Sequence, residues 1–260
     1  MCQAAPFESG IVTDFDGTIH QTVKIGTHWW MAENLQATHY RNGNPIEQIA
    51  DPVAWEKLTT GAWCQYENRA DISVTYGNLY NWYAITDPQG LAPEGWRIPG
   101  DADWQALSDA LGNTVDVGGK LKQVGTEHRV PPNTGATNES GFTALPGGYR
   151  GSNGRCYSLG VVAFFWSVTE SAIGLSKRQA LTSKTRPLVC VQKPANFRKG
   201  AVSIGTAVMI TESKDDPAEL CTGSIARALA PANFPDVYRT HSLTTSQSTL
   251  RFSRYDNVAM

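Results

Sequence analysis

Apolar and polar residues alternate over short stretches in the first half of the chain, and turn residues punctuate them. Val12 to Ile19 begins as a strand and turns at Asp16-Gly17, a pair suited to tight hairpins because both residues tolerate positive φ. The return arm sets Ile19, Gln21, Val23 and Ile25 toward one side, the period of a half-buried strand. His28 to Asn34 reads as a denser, more buried strand, and Asn42-Gly43 as a second tight turn. Asp51-Pro52 introduces a helical turn over Ala54 to Leu58, with Asp as cap and Pro at the first position. Asn78 to Ile85 carries Leu79, Tyr80, Trp82 and Tyr83, as in a short helix packed on both sides. Asp101 as a cap, followed by Trp104, Leu107 and Leu111, predicts an amphipathic helix.

From Gly141 onward the pattern changes to short strands separated by glycines. Expected strands are Phe142 to Leu145, Gly147 to Arg150, Phe164 to Val168 and Leu188 to Val191. All eight tryptophans precede residue 167, so the chain divides into a 1–10 extension, a domain over 11–193 and an appended element over 194–260. In that last part Val202, Ile204, Val208 and Ile210 alternate like a strand. Asp216 to Glu219 forms a capping box before Cys221, Ile225 and Leu229, and the Ser/Thr-rich end reads as grading into disorder.

Charge narrows the partners. With 22 Lys+Arg against 24 Asp+Glu, no global field would draw the protein onto nucleic acid or an anionic membrane. No apolar run approaches the ~20 residues that span a bilayer. A charged fraction of 18% beside 24 Gly, 8 Trp and 9 Tyr suits a loop-rich α+β fold held by aromatic anchors. The five cysteines, Cys2, Cys64, Cys156, Cys190 and Cys221, include no C-x-x-C, which removes a zinc ribbon or thioredoxin-like motif and leaves disulfide pairing open. Cys2 after Met1 matches the lipid-bearing first residue of a mature lipoprotein as well as a bare leftover thiol.

Several strings together resemble the Fibrobacter succinogenes major paralogous domain. They include Val12-Thr13-Asp14, Trp30-Met31-Ala32-Glu33-Asn34-Leu35, Leu79-Tyr80-Asn81-Trp82-Tyr83-Ala84, Gly95-Trp96, and Gly118-Gly119-Lys120-Leu121-Lys122. They continue through Asn133 to Phe142, Ala144-Leu145-Pro146-Gly147-Gly148-Tyr149-Arg150, Trp166-Ser167 and Cys190-Val191. The resemblance implies a C-type-lectin-like, sulfatase-modifying-factor-like fold of short strands and two or more short helices, and an extracytoplasmic location, secreted or at the cell surface. Ala92-Pro93 stands where the family shows Cys-Pro, which implies that Cys190 lacks its customary partner. Ser176 to Pro187 has no aromatic, unlike the family's closing segment, and Met1 to Gly10 is not expected to be the export leader that the family typically carries.

Enzymatic readings meet specific obstacles. Asp14-Phe15-Asp16-Gly17-Thr18 spells the haloacid-dehalogenase phosphatase signature, whose first Asp attacks phosphate. That chemistry needs a parallel strand in an α/β sheet, whereas the next strand here returns at once, so a hairpin turn is the expectation. Formylglycine-type oxidation, suggested by fold kinship, needs two thiolates for copper(I), and no cysteine lies between Trp166 and Val189. His20, His28, His39, His128 and His241 are scattered, without metal-ligand spacing. Asn138 and Glu139 are weak candidates for calcium, since one carboxylate makes a poor site. For Asn138 a loop-tying hydrogen bond is the favoured role, and no cofactor or catalytic residue is assigned.

The remaining expectation is a binding or display module whose late polar segments face a glycan or a surface protein. Its candidate contacts are Tyr149, Arg150, Asn153, Arg155, Tyr157, Trp166, Thr169, Glu170, Lys177, Arg178, Lys184 and Arg186. The four basic residues from Lys177 to Arg186 bias that face toward an acidic ligand. Oligomeric state is left open.

Overall fold

A computed structural model describes residues 7–170, 176–182, 189–192, 205–206 and 210–211. The chain opens with β1 (Ser9–Thr13), β2 (Ile19–Ile25) and β3 (His28–Met31), which pair antiparallel in sequence order. Gly17 at φ 82° makes the first reversal, as the Asp-Gly pair predicts, and Gly43 at φ 87° makes the Asn42-Gly43 turn. Short elements follow: β4 (Glu47–Gln48), α1 (Pro52–Glu56), β5 (Ala62–Cys64), a 3-10 turn at Tyr66–Asn68, α2 (Ala70–Tyr76), β6 (Leu79–Tyr80) and α3 (Trp82–Ile85). Then come α4 (Asp101–Ala110), α5 (Val117–Leu121), β7 (Tyr149–Arg150), β8 (Cys156–Tyr157), β9 (Val162–Glu170), β10 (Ser176–Thr182), β11 (Val189–Gln192), β12 (Gly205–Thr206) and β13 (Ile210–Thr211).

Among the described residues the strands form a sheet in the order β1-β2-β3-β13, a second in the order β11-β10-β9-β12-β6-β5-β4, and the β7-β8 hairpin. The fold is therefore α+β, with small mixed sheets and short helices. β12 lies between β9 and β6, and β13 pairs with β3, so two short pieces of the 194–260 segment join these sheets. The helix expected after Asp216 and the rest of that segment lie outside the described residues. No helix among the described residues is long and apolar enough to cross a membrane.

The tryptophans build the core as expected: all eight are buried. Trp30, Trp104, Phe142 and Phe165 pack as one aromatic cluster with ring centres 5.1 to 6.4 Å apart. Trp166 sits edge-on to Trp82 and donates its indole N–H to the Tyr80 carbonyl at 2.9 Å, tying β9 to β6 across the short β12. Burying one such ring removes about 150–250 Å², an upper bound of roughly 4–6 kcal/mol each at about 25 cal/mol/Å².

Local chemistry corrects several expected elements. β2 does not bury a single face: Ile19 and Gln21 are exposed, while His20 and Thr22 on the other side are covered along with Val23 and Ile25. The reason is polar, since His20 turns inward to meet the Asp14 carboxylate. Gly100, not Asp101, caps α4, and Asp103 reaches back to the Gly100 N–H at 2.6 Å. The Asn78 to Ile85 segment splits into a strand and a single helical turn, because the Asn81 side chain accepts the N–H groups of both Ala62 and Ala84 and caps α3. Phe142 to Leu145 is not a strand: it makes only one bridge, Ala144 to Lys122. Two of its N–H donors go to side chains instead, Phe142 to Ser140 Oγ and Thr143 to Asn138 Oδ1, while the Ala144 N–H meets the Leu121 carbonyl at 2.8 Å. The Pro52–Glu56 turn, capped by Asp51 Oδ1 on the Ala54 N–H at 2.7 Å, is as predicted.

Candidate functional site

The most distinctive exposed chemistry lies on the β7-β8 hairpin. Gly151 N–H to Arg155 O and Gly154 N–H to Gly151 O close its loop, with Gly154 at φ 72°. A side chain at Gly154 would meet Pro52 backbone at 2.4 to 2.6 Å, so the loop tip lies directly on the start of α1. Tyr149 and Tyr157 are cross-strand partners with rings stacked 5.4 Å apart at 28°. Phe164 of β9 meets Tyr149 edge-on at 5.3 Å and supports the pair from the sheet. Asn153 donates from Nδ2 to the Tyr157 hydroxyl at 2.8 Å and accepts from the Arg155 N–H. Asn153, Arg155 and Tyr157 are exposed and Tyr149 is half-buried.

The expected contact set divides. Tyr149, Asn153, Arg155 and Tyr157 come together on this hairpin. Arg150 does not face a ligand: it is buried and donates to the carbonyls of Gly154 (2.8 Å), Ile49 (2.6 Å) and Ala50 (2.8 Å). It staples the hairpin to the segment before α1. Trp166 is buried in the core described above. Thr169 accepts the Asp101 N–H on its Oγ1 at 2.9 Å, which fixes the first turn of α4. It stands five positions after Phe164 on the same strand, and alternation points the two to opposite faces. Glu170, Lys177 and Arg178 are placed by backbone pairing of β9 with β10, Lys177 opposite Ser167 and Arg178 opposite Trp166; their side chains lie outside the described residues. Lys184 and Arg186 lie outside them altogether.

Two thiols flank the inner side of the hairpin. Burial pushes the Cys64 thiol up to about 12, against the opposing pull of the Arg150 guanidinium. Cys156 is also raised by burial, although its sulfur accepts the Glu67 N–H at 3.3 Å. Both are protonated at neutral pH. Sequence reasoning missed this arrangement and the hairpin itself. The signal was present in Ser152-Asn153-Gly154, a turn triplet between two tyrosines eight residues apart.

The other motifs resolve into structure. Asp14 is buried, accepting the Thr18 N–H at 2.9 Å and contacting His20 Nε2 at 2.9 Å, directly after a strand whose neighbour is antiparallel. Asp16 accepts from Thr38 and contacts His39 Nδ1; burial raises its carboxyl, but these partners outweigh it and hold it below the usual range. Asn138 ties its loop through both amide atoms to Thr143, and Glu139 pairs with Lys120 at 2.9 Å, so both weak calcium candidates have protein partners. Among the described residues no three His, Cys, Asp or Glu side chains converge as a metal site would require.

The model of the Fibrobacter succinogenes major domain matches residues 23–204. The chain belongs to that family. This Fibrobacter succinogenes major domain thus reaches into the segment expected to be an appendage, as far as the residue before β12. Searches of curated proteins and of solved structures find no match.

Proposed function

We propose that this Fibrobacter succinogenes major domain is a non-enzymatic, extracytoplasmic binding module of C-type-lectin-like fold that displays the β7-β8 hairpin to a glycan. One observation carries the reading: a stacked tyrosine pair, Tyr157 exposed and Tyr149 half-buried, with the Asn153 amide on the Tyr157 hydroxyl and the exposed Arg155 on the same hairpin, which is pinned from below. A pyranose ring presents an apolar C–H face and a rim of hydroxyls. Aromatic rings suit the face and amide or guanidinium groups suit the rim. Pre-organisation supports the same reading, because Arg150, Phe164 and Gly154 fix the platform before any ligand arrives.

The test is a glycan and surface-protein array probed with the wild-type chain and with Tyr157→Ala and Arg155→Ala. Glycan binding that falls at least about tenfold in each variant, ~1.4 kcal/mol, with an unchanged circular dichroism spectrum, is the expected result. Binding to surface proteins alone, or glycan binding indifferent to both substitutions, overturns it.

A further inference from the structure

The sheet decides whether Cys64 can pair with Cys190. Cys64 lies on β5 and Cys190 on β11, and five strand steps separate these in the order β11-β10-β9-β12-β6-β5. At about 4.8 Å per step that is roughly 24 Å, whereas bridged cysteines need Cα atoms within about 7 Å. Cys190 therefore cannot serve Cys64.

Cys156 is placed differently. It stands directly opposite Arg150 in an antiparallel pair, so both side chains leave the hairpin on the same face. Its sulfur rests on the Glu67 N–H, three residues beyond Cys64. The Cys64 thiol lies near enough to feel both the charge of the same Arg150 guanidinium and Cys156. Two thiols from segments 92 positions apart thus meet at one arginine, and Tyr66 locks the segments together, its hydroxyl accepting the Leu159 N–H at 3.4 Å.

We propose that Cys64 and Cys156 are an oxidisable pair that closes into a disulfide, fastening the β7-β8 hairpin to β5. Both are free thiols in this structure. Closure joins the two sulfurs, releases two protons and passes two electrons to an incoming disulfide, protein-borne or of low molecular weight, which leaves as two thiols. Burial keeps both thiols protonated and slows attack, so the bond forms during folding or by transient opening of the hairpin. Once closed and buried, it resists reduction.

The experiment uses the full chain, refolded in a mixture of reduced and oxidised glutathione, alkylated, and digested without reductant. The expected product is one linked peptide pair joining Cys64 to Cys156, two hydrogens lighter than the sum of its parts, and absent from both Cys64→Ser and Cys156→Ser. Wild-type mapping alone decides the matter if either variant misfolds. Alkylation of both thiols after oxidative refolding, or linkage of Cys64 to Cys2, Cys190 or Cys221, overturns it. Because the readout is covalent, it stands apart from whether the hairpin binds a glycan.

Discussion

The Arg150 guanidinium carbon lies 4.5 Å from the centre of the Trp55 ring, while its nitrogens hold the Ile49, Ala50 and Gly154 carbonyls. One side chain thereby satisfies acceptors on two loops and covers a buried indole. Arg150→Ala is expected to destabilise the domain by about 2–3 kcal/mol, since the buried Gly154 carbonyl and the partly buried Ile49 and Ala50 carbonyls lose a donor and the Trp55 ring loses its cover. Arg150→Lys should recover less than half, because an ammonium lacks the planar fork. Urea denaturation checks both, and an Arg150→Ala midpoint equal to wild type would show that the staple is idle.

Asp14 is expected to matter for stability and not for phosphate chemistry. Asp14→Ala strands the Thr18 N–H and the fully buried His20 ring, a loss of roughly 2–3 kcal/mol. Asp14→Asn keeps an acceptor for Thr18 and should cost about half as much. Neither wild type nor Asp14→Asn should hydrolyse p-nitrophenyl phosphate above background. Turnover that vanishes in Asp14→Asn would restore the phosphatase reading.

Elements governed by one local rule were legible in the sequence: the Asp16-Gly17 hairpin, the Asp51-Pro52 helix start and the buried tryptophans. Elements governed by distant partners were not. Nothing local marks Arg150 as buried, because two of its three acceptors lie about a hundred residues earlier. Thr169 could not be known to hold the start of α4, 68 residues before it. Phe142 to Leu145 carried a strand-like composition, but the Asn138 and Ser140 side chains took two of its donors. Of the expected contact face, the hairpin residues gathered because turn chemistry is local, whereas Trp166 was drawn inward by the aromatic cluster.

Acid should weaken the domain partly through Asp103. Burial alone would raise its carboxyl, but two bonds from Arg97 and the Gly100 N–H outweigh this and set it below 3.8. A folded-state value below the unfolded one means the contribution is fully present above the unfolded value and is lost as pH falls through the folded one. Asp103→Asn should therefore be less stable than wild type at pH 7, with the difference shrinking below about pH 4. Thermal melts across that range measure it. A difference independent of pH would show that the carboxylate's charge contributes nothing.

Gly119 tests how closely α5 is packed. A methyl group there would stand 2.1 Å from the Gly135 carbonyl oxygen, while the neighbouring Thr137 N–H bonds the Gly119 carbonyl at 2.9 Å. Both sides of the contact are backbone, so no side chain rotation relieves it. Alanine is the better helix former by about 1 kcal/mol, yet Gly119→Ala should destabilise by roughly 2–3 kcal/mol through forced separation of α5 from the 133–138 loop. Gly125→Ala is the control, because its methyl group meets nothing within 4 Å and only the φ of 80° opposes it. That change should cost about 1–2 kcal/mol. Unchanged or raised stability in Gly119→Ala would show that the approach to Gly135 yields without cost.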